Sequence, residues 1–283
     1  MEIRPIDDLP KFSPWPARLL GLSPWEARAK TPEEIEREFG REKWGALLER
    51  FRSTPSAGLG DVDRWAAGTV APVLASVGEH LVLMSQEESH SSYLAYIADA
   101  LGLYLPGSAL VELGCGYGSV ILGLARLPEF NGLALFAADY TLTGPELAAA
   151  IAGREEVVLS AGRCDLNAHP VTGLSIPEGA VIFTAYAAQY VEPLTDAFVA
   201  GISALRPKAV VHIEPVYEHC DPGTLLGLLR QRYIQANGYN RNLVTILHDH
   251  ESRGAIEILE ERPPAFGPNP LLAASVIAWS PRG

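Results

Sequence analysis

Cysteine is scarce. Cys115, Cys164 and Cys220 are the only three in 283 residues, an odd number with no Cys-x-x-Cys pair, so neither a disulfide framework nor a structural zinc site is expected. Basic residues are also short, with 22 Lys and Arg against 34 Asp and Glu and a formal net charge of −12. No dense basic stripe offsets that balance, which argues against affinity gained by neutralising phosphates and so against a nucleic-acid partner. No apolar run approaches the length of a bilayer span. The opening Met1-Glu-Ile-Arg-Pro-Ile-Asp-Asp8 lacks both the basic start and the apolar core of a secretion signal. These absences together predict a cytoplasmic protein without a membrane partner. His248-Asp-His250 reads as a polar turn, and no metal is expected.

What is present is ordinary globular composition, 48% hydrophobic and 20% charged, enough for one large α/β domain plus an appendage. The most informative stretch is Val111-Glu-Leu-Gly-Cys-Gly-Tyr-Gly-Ser119. A short apolar strand runs into three alternate glycines and then into the helical pattern Val120 to Arg126. Gly114, Gly116 and Gly118 carry no Cβ, so the chain can turn sharply and let a ligand lie on the peptide plane. Glu112 would crowd a pyrophosphate but suits a ligand bearing an ammonium group. The rival dinucleotide fingerprint, Gly-x-Gly-x-x-Gly, would need glycine or alanine where Ser119 stands.

Glu112-x-Gly114-x-Gly116-x-Gly118 resembles the first motif of the class I S-adenosylmethionine (SAM) dependent methyltransferases. Two further acids end the following apolar strands. Asp139 closes Leu133 to Asp139, where such folds place an acid that accepts from the ribose hydroxyls. Asp165, followed by Leu166, closes the third strand, where the resemblance implies contact with the adenine. The resemblance, which covers about residues 106–281, implies SAM as cofactor, with Tyr186 also at the cofactor side.

The same resemblance implies a seven-stranded, mostly parallel Rossmann-like sheet. Strands are expected at 109–113, 132–138, 157–163, 180–186 and 208–214, with helices at 118–127, 144–152, 193–204 and 222–237. Ala255 to Glu260 and Leu272 to Trp279 read as a C-terminal antiparallel hairpin at the sheet edge, joined by a Pro-rich turn. Residues 1–105 read as a helical N-terminal extension packed over a core of 106–283. Within the extension, Thr31-Pro-Glu-Glu supplies an N-cap, a proline at N1 and an acidic first turn. Its aromatics Phe12, Trp15, Trp25, Trp44 and Trp65 read as core or oligomer contacts, compatible with a homodimer.

Ligands of open α/β sheets bind beyond the carboxyl ends of the strands, which directs attention to two segments. Phe183 to Tyr190 lacks the Asp/Asn-Pro-Pro-Tyr signature of nucleobase and glutamine N-methyltransferases. Val211-His-Ile-Glu214-Pro-Val-Tyr217-Glu218-His219 is dense in polar groups and is the expected acceptor side. Glu214 and Glu218 could hold an amine or guanidinium, and His219 could act as general base toward a hydroxyl. Glu87 and Glu88, with Tyr190, Tyr217, Asn240 and Arg241, complete the expected substrate contacts. The expected reaction is methyl transfer to a small, preferably cationic, nitrogen acceptor. O-methylation of a sugar or other hydroxyl and a non-catalytic SAM-binding or nucleoside-binding role stand as alternatives.

Overall fold

Short, wholly apolar runs bounded by glycines and acids dictate strands buried on both faces, and the amphipathic stretches between them must cover those faces. The computed structural model describes residues 2–26, 30–68, 70–166, 168 and 171–282. Three strands, β4 (Leu110–Leu113), β7 (Val181–Ala185) and β8 (Ala209–Glu214), are buried at every position. With β5 (Leu135–Asp139) and β6 (Leu159–Arg163) they form a parallel block ordered β8-β7-β4-β5-β6. The chain moves outward from β4 to β6 and then returns to β7 on the other side, so the switch point lies between β4 and β7. Helices α7 (Ser119–Leu124), α8 (Thr143–Arg154) and α9 (Asp196–Ser203) link these strands, and α10 (Leu225–Ala236) and α11 (Leu243–Ser252) follow β8.

The antiparallel strands β9 (Ile256–Gly267) and β10 (Ala274–Pro281) are both present, but they do not form the sheet edge. β10 is inserted between β9 and β8, and three N-terminal strands continue the sheet beyond β9. These are β1 (Glu2–Arg4), β2 (Val73–Val77) and β3 (His80–Met84). The sheet is therefore mixed and ten-stranded, ordered β1-β3-β2-β9-β10-β8-β7-β4-β5-β6, in place of the expected seven strands, mostly parallel, with a purely helical extension. Val73-Leu-Ala-Ser-Val77 and His80-Leu-Val-Leu-Met84 flank the tight turn at Gly78, a hairpin signal that the helical reading of 1–105 passed over. The helices of this region are α1 (Leu9–Phe12), α2 (Trp15–Leu19), α3 (Pro32–Ile35), α4 (Ala46–Ser53), α5 (Leu59–Ala67) and α6 (Gln86–Gly102). A π-helical stretch, Glu36–Gly45, joins α3 to α4. No helix among the described residues is long and apolar enough to cross a membrane.

One buried cation ties the added hairpin to the core. Arg230 on α10 is only 2% exposed. Its Nε donates to the Pro270 carbonyl at 3.0 Å, one terminal nitrogen to the Gly78 carbonyl at 3.1 Å, and the other to Glu79 at 2.7 Å. The guanidinium fork thus connects the β2–β3 turn to the segment before β10. Arg230→Met keeps an apolar stem but strips two carbonyls of their donor, and should lower stability by about 2–4 kcal/mol. Urea unfolding should show this as a lower midpoint at unchanged slope.

Candidate active site

The switch point opens into a cavity of about 760 Å³, within the range of small-molecule sites. Its first half is built from the ends of β4, β5 and β6. Gly114, Gly116 and Gly118 have φ of +82°, +51° and +81°, values only glycine adopts cheaply. A Cβ on Gly118 would lie 2.7 Å from the Ala148 Cβ, so this glycine seats α7 on α8 and does not line the cavity. Glu112 is buried. One oxygen accepts from the Ile121 amide at 3.1 Å, and burial raises its pKa well above the carboxylate range. Asp139 accepts from the Gly116 amide at 2.9 Å with one oxygen and from the Thr141 amide and hydroxyl at 2.9 and 2.8 Å with the other. Glu112, Asp139, Asp165 and Leu166 all line this half, with Cys115 and Cys164 between them. Burial pushes both thiols up, so neither is a ready nucleophile.

The second half is aromatic. Phe39 and Trp44 come from the π-helical stretch, Tyr93 from α6, Tyr117 from the glycine turn, and Tyr186 and Tyr190 from the turn after β7. Thr143 Oγ1 donates to the Gly40 carbonyl at 2.6 Å, which fastens the π-helical roof to α8. Trp44, expected from the sequence as a core or oligomer contact, lines the cavity. A Cβ on Gly116 would stand 3.1 Å from its ring, so the indole packs on the glycine turn. Tyr186 has φ of +55°, and its hydroxyl donates to the Leu272 carbonyl at 2.5 Å. Its ring lies 5.6 Å from that of Tyr93 in an edge-on contact. A tyrosine in the left-handed region carries about 1–2 kcal/mol of strain and needs a neighbour that enforces it.

Glu214 supplies that enforcement. It is 1% exposed and does not face the cavity. One oxygen accepts from the Ala187 and Ala188 amides, both at 2.9 Å, and the other from the Gln189 amide at 3.3 Å. A deeper chain supports it. The indole N–H of Trp279 donates to His212 Nε2 at 3.0 Å, which requires the His212 proton on Nδ1, donated to Thr184 Oγ1 at 2.9 Å. Thr184 in turn serves Glu214. Burial pushes His212 down to about 3, so it stays neutral. The assignment of Glu214 to acceptor contact is therefore corrected: its lone pairs are spent on backbone amides.

Of the remaining expected acceptor residues, Tyr190 lines the cavity and the others lie off it. Glu218 accepts from the Thr245 amide at 3.1 Å, and burial raises its pKa. His219 is held between Ser275 Oγ at 2.9 Å and Glu261 at 2.8 Å, so it has no path to a substrate proton. Tyr217 accepts from Gln235, Asn240 binds the Val191 carbonyl, and Arg241 pairs with Glu192. Glu88 forms a reciprocal capping box with Ser85 at the exposed start of α6, where that hydrogen bond lowers its pKa, and Glu87 stands exposed beside it. Polar density near a strand end thus marked caps and strand fastenings. The residues that sequence reading passed over, Phe39, Tyr93, Gln189 and Asn269, reach the cavity through tertiary packing.

No family model matches the sequence, and no curated protein matches it. Solved structures do. The [4+2]-cyclase SpnF superposes with a TM-score of 0.57 over 92% of this chain and 100% of that one, at 13% identity. A geranyl diphosphate C-methyltransferase from Streptomyces coelicolor A3(2), solved with Mg2+, geranyl diphosphate and S-adenosyl-L-homocysteine, gives 0.48 over 70% and 81%, also at 13% identity. The 16S rRNA methylase ArmA gives 0.46 over 84% and 98% at 12%. The fold is that of the class I SAM-dependent methyltransferases.

Burial raises the Glu214 pKa from 4.5 to about 7. A raised acid holds its proton in the native state while the unfolded chain has lost it, so its ionisation should erode stability as pH climbs from about 4.5 through 7. The full shift corresponds to roughly 3 kcal/mol. Urea midpoints at pH 5 and pH 8 should fall further in the wild type than in Glu214→Gln. Equal slopes in both would show that Glu214 titrates normally.

Proposed function

We propose that the chain binds SAM across the glycine turn and transfers its methyl group to a small molecule held under the aromatic roof. The observation that carries this reading is one cavity in which Glu112, Asp139 and Asp165, at the ends of three successive parallel strands, share a wall and open onto a second, aromatic half. The donor set fits the ligand: Gly114 and Gly116 bring backbone to the cavity wall, Asp139 and Asp165 are acceptors for a ribose and an amino group, and Glu112 answers an ammonium. When bound, SAM supplies an electrophilic methyl on a sulfonium. The chain contributes binding, orientation and a water-poor enclosure. The net charge of −12 and the roofed cavity favour a small acceptor over a nucleic acid.

The preference for an amine or guanidine loses its basis, because Glu87, Glu88, Glu214 and Glu218 all lie off the cavity. An oxygen acceptor is the reading that survives. A second reading, a SAM-binding protein that does not transfer the methyl, is supported by the lack of any charged side chain or histidine in the aromatic half among the described residues. It is further supported by the likeness to a [4+2]-cyclase.

Asp139→Ala should weaken S-adenosylhomocysteine by about 100-fold, the loss of two hydrogen bonds to a charged acceptor. Calorimetry finding wild-type affinity in that variant would remove the ribose assignment. Mass spectrometry for a gain of one methyl on the acceptor separates the two readings.

A further inference from the structure

The aromatic half has a property that the cofactor half lacks. Its walls come from α3 and the π-helical roof, from Tyr93, from the turn after β7 except Ala188, and from the segment before β10. No aspartate, glutamate, lysine, arginine or histidine lines this half among the described residues. Charged groups packed behind it are engaged elsewhere. Glu214 is spent on the Ala187 to Gln189 amides. Lys30 and Lys43 pair with Glu38 at 2.6 and 2.8 Å, and Asp63 takes the hydroxyls of Tyr117 and Ser119 and faces His90 at 3.8 Å. The tyrosines are no substitute for a base. Burial raises the pKa values of Tyr93, Tyr186, Tyr190 and Tyr117, so they stay protonated near neutrality.

We infer that the acceptor is a ring-containing oxygen acid, a phenol or enol, that reaches the cavity by its own ionisation and is methylated without a general base from the protein. This rests on the SAM reading above. The acceptor first loses its proton to solvent. Its oxygen then forms the O–CH3 bond as the S–CH3 bond breaks, and that bond's electron pair remains on sulfur, leaving a neutral thioether and a neutral methyl ether. Two opposite charges annihilate, a change favoured where the surroundings offer neither ion a partner. A neutral amine would instead finish as an ammonium among walls that hold no counter-ion. An aliphatic hydroxyl would need a base that these walls do not provide. Flat rings also match walls built of Phe39, Trp44, Tyr93 and Tyr186. Gln189 is the polar exception: its Nε2 donates to the Tyr186 carbonyl at 3.1 Å, and its Oε1 is buried with no protein donor.

The test uses the full chain, SAM, and a series of nitro-substituted, chloro-substituted and unsubstituted phenols and 2-naphthols, with agmatine and a primary alkylamine as cationic comparisons. Methyl transfer is read by mass spectrometry. kcat/KM should fall about tenfold per pH unit below a midpoint, and that midpoint should move along the series with each phenol's own acidity. A midpoint fixed across the series would place the base on the protein, and faster methylation of the amine or guanidine would restore a cation site. Either result overturns the inference, as does failure of every phenol to react. A second readout needs no turnover. 4-Nitrophenol should bind as its coloured anion, at least tenfold more tightly when the chain carries cationic sinefungin than when it carries neutral S-adenosylhomocysteine; equal binding also overturns it. Calorimetry of S-adenosylhomocysteine separates the two levels. No binding removes the SAM reading and the inference together, whereas binding without these phenol responses removes the inference alone.

Discussion

A turn that leaves a buried strand with three successive amide N–H groups and no ladder to receive them must find an acceptor or forfeit several kcal/mol. After β7 that acceptor is the Glu214 carboxylate, projected from the end of the neighbouring parallel strand. The rest of the site follows from this contact. It fixes Ala187, whose methyl packs against Gly114 so closely that no side chain could replace the glycine. The same contact holds Tyr186 in its left-handed conformation and directs the hydroxyl to Leu272. The Trp279, His212 and Thr184 chain carries the constraint across one face of the sheet, from β10 through β8 to β7, so Glu214 and its supporting bonds act on the turn from the same side.

Charge is distributed across the cavity with a clear division. Among the described residues, acids line the cavity only at the ends of β4, β5 and β6, while the facing half presents rings and amides. A partly desolvated carboxylate is costly without a partner. Asp139 meets that cost internally with three hydrogen bonds, which also brace the glycine turn before any ligand arrives.

The parallel block and the acidic wall of the cavity were legible because their signals are local. A carboxylate two residues before a run of alternate glycines and an acid at the end of each apolar strand need only neighbours in sequence to be interpreted. The aromatic half was not legible, since Phe39, Tyr93 and Leu272 meet only after the chain has closed on itself. Glu214 shows the same limit from the other side: a carboxylate at a strand end looks identical in sequence whether it faces a ligand or a row of amides. The added strands were missed for a different reason, since Val73 to Val77 is too short for periodicity to separate strand from helix. α11 escaped notice because its histidines, bonded to Glu261 and Asp196, resemble turn residues.

The π-helical stretch sets the angular phase of the roof. In ordinary helix, residues five apart point about 140° away from each other, so Phe39 and Trp44 could not share a face. Hydrogen bonding from residue i to i+5 widens the turn to roughly 4.4 residues, so residues five apart diverge by only about 50°, and the two rings come to stand 6.1 Å apart on the same side. The widened turn therefore works as a rotational spacer that brings one ring toward Tyr190 and the other onto the glycine turn. Between positions 39 and 44 the number of residues matters more than their identity, because a change of one would rotate Trp44 off Gly116 while leaving its chemistry untouched.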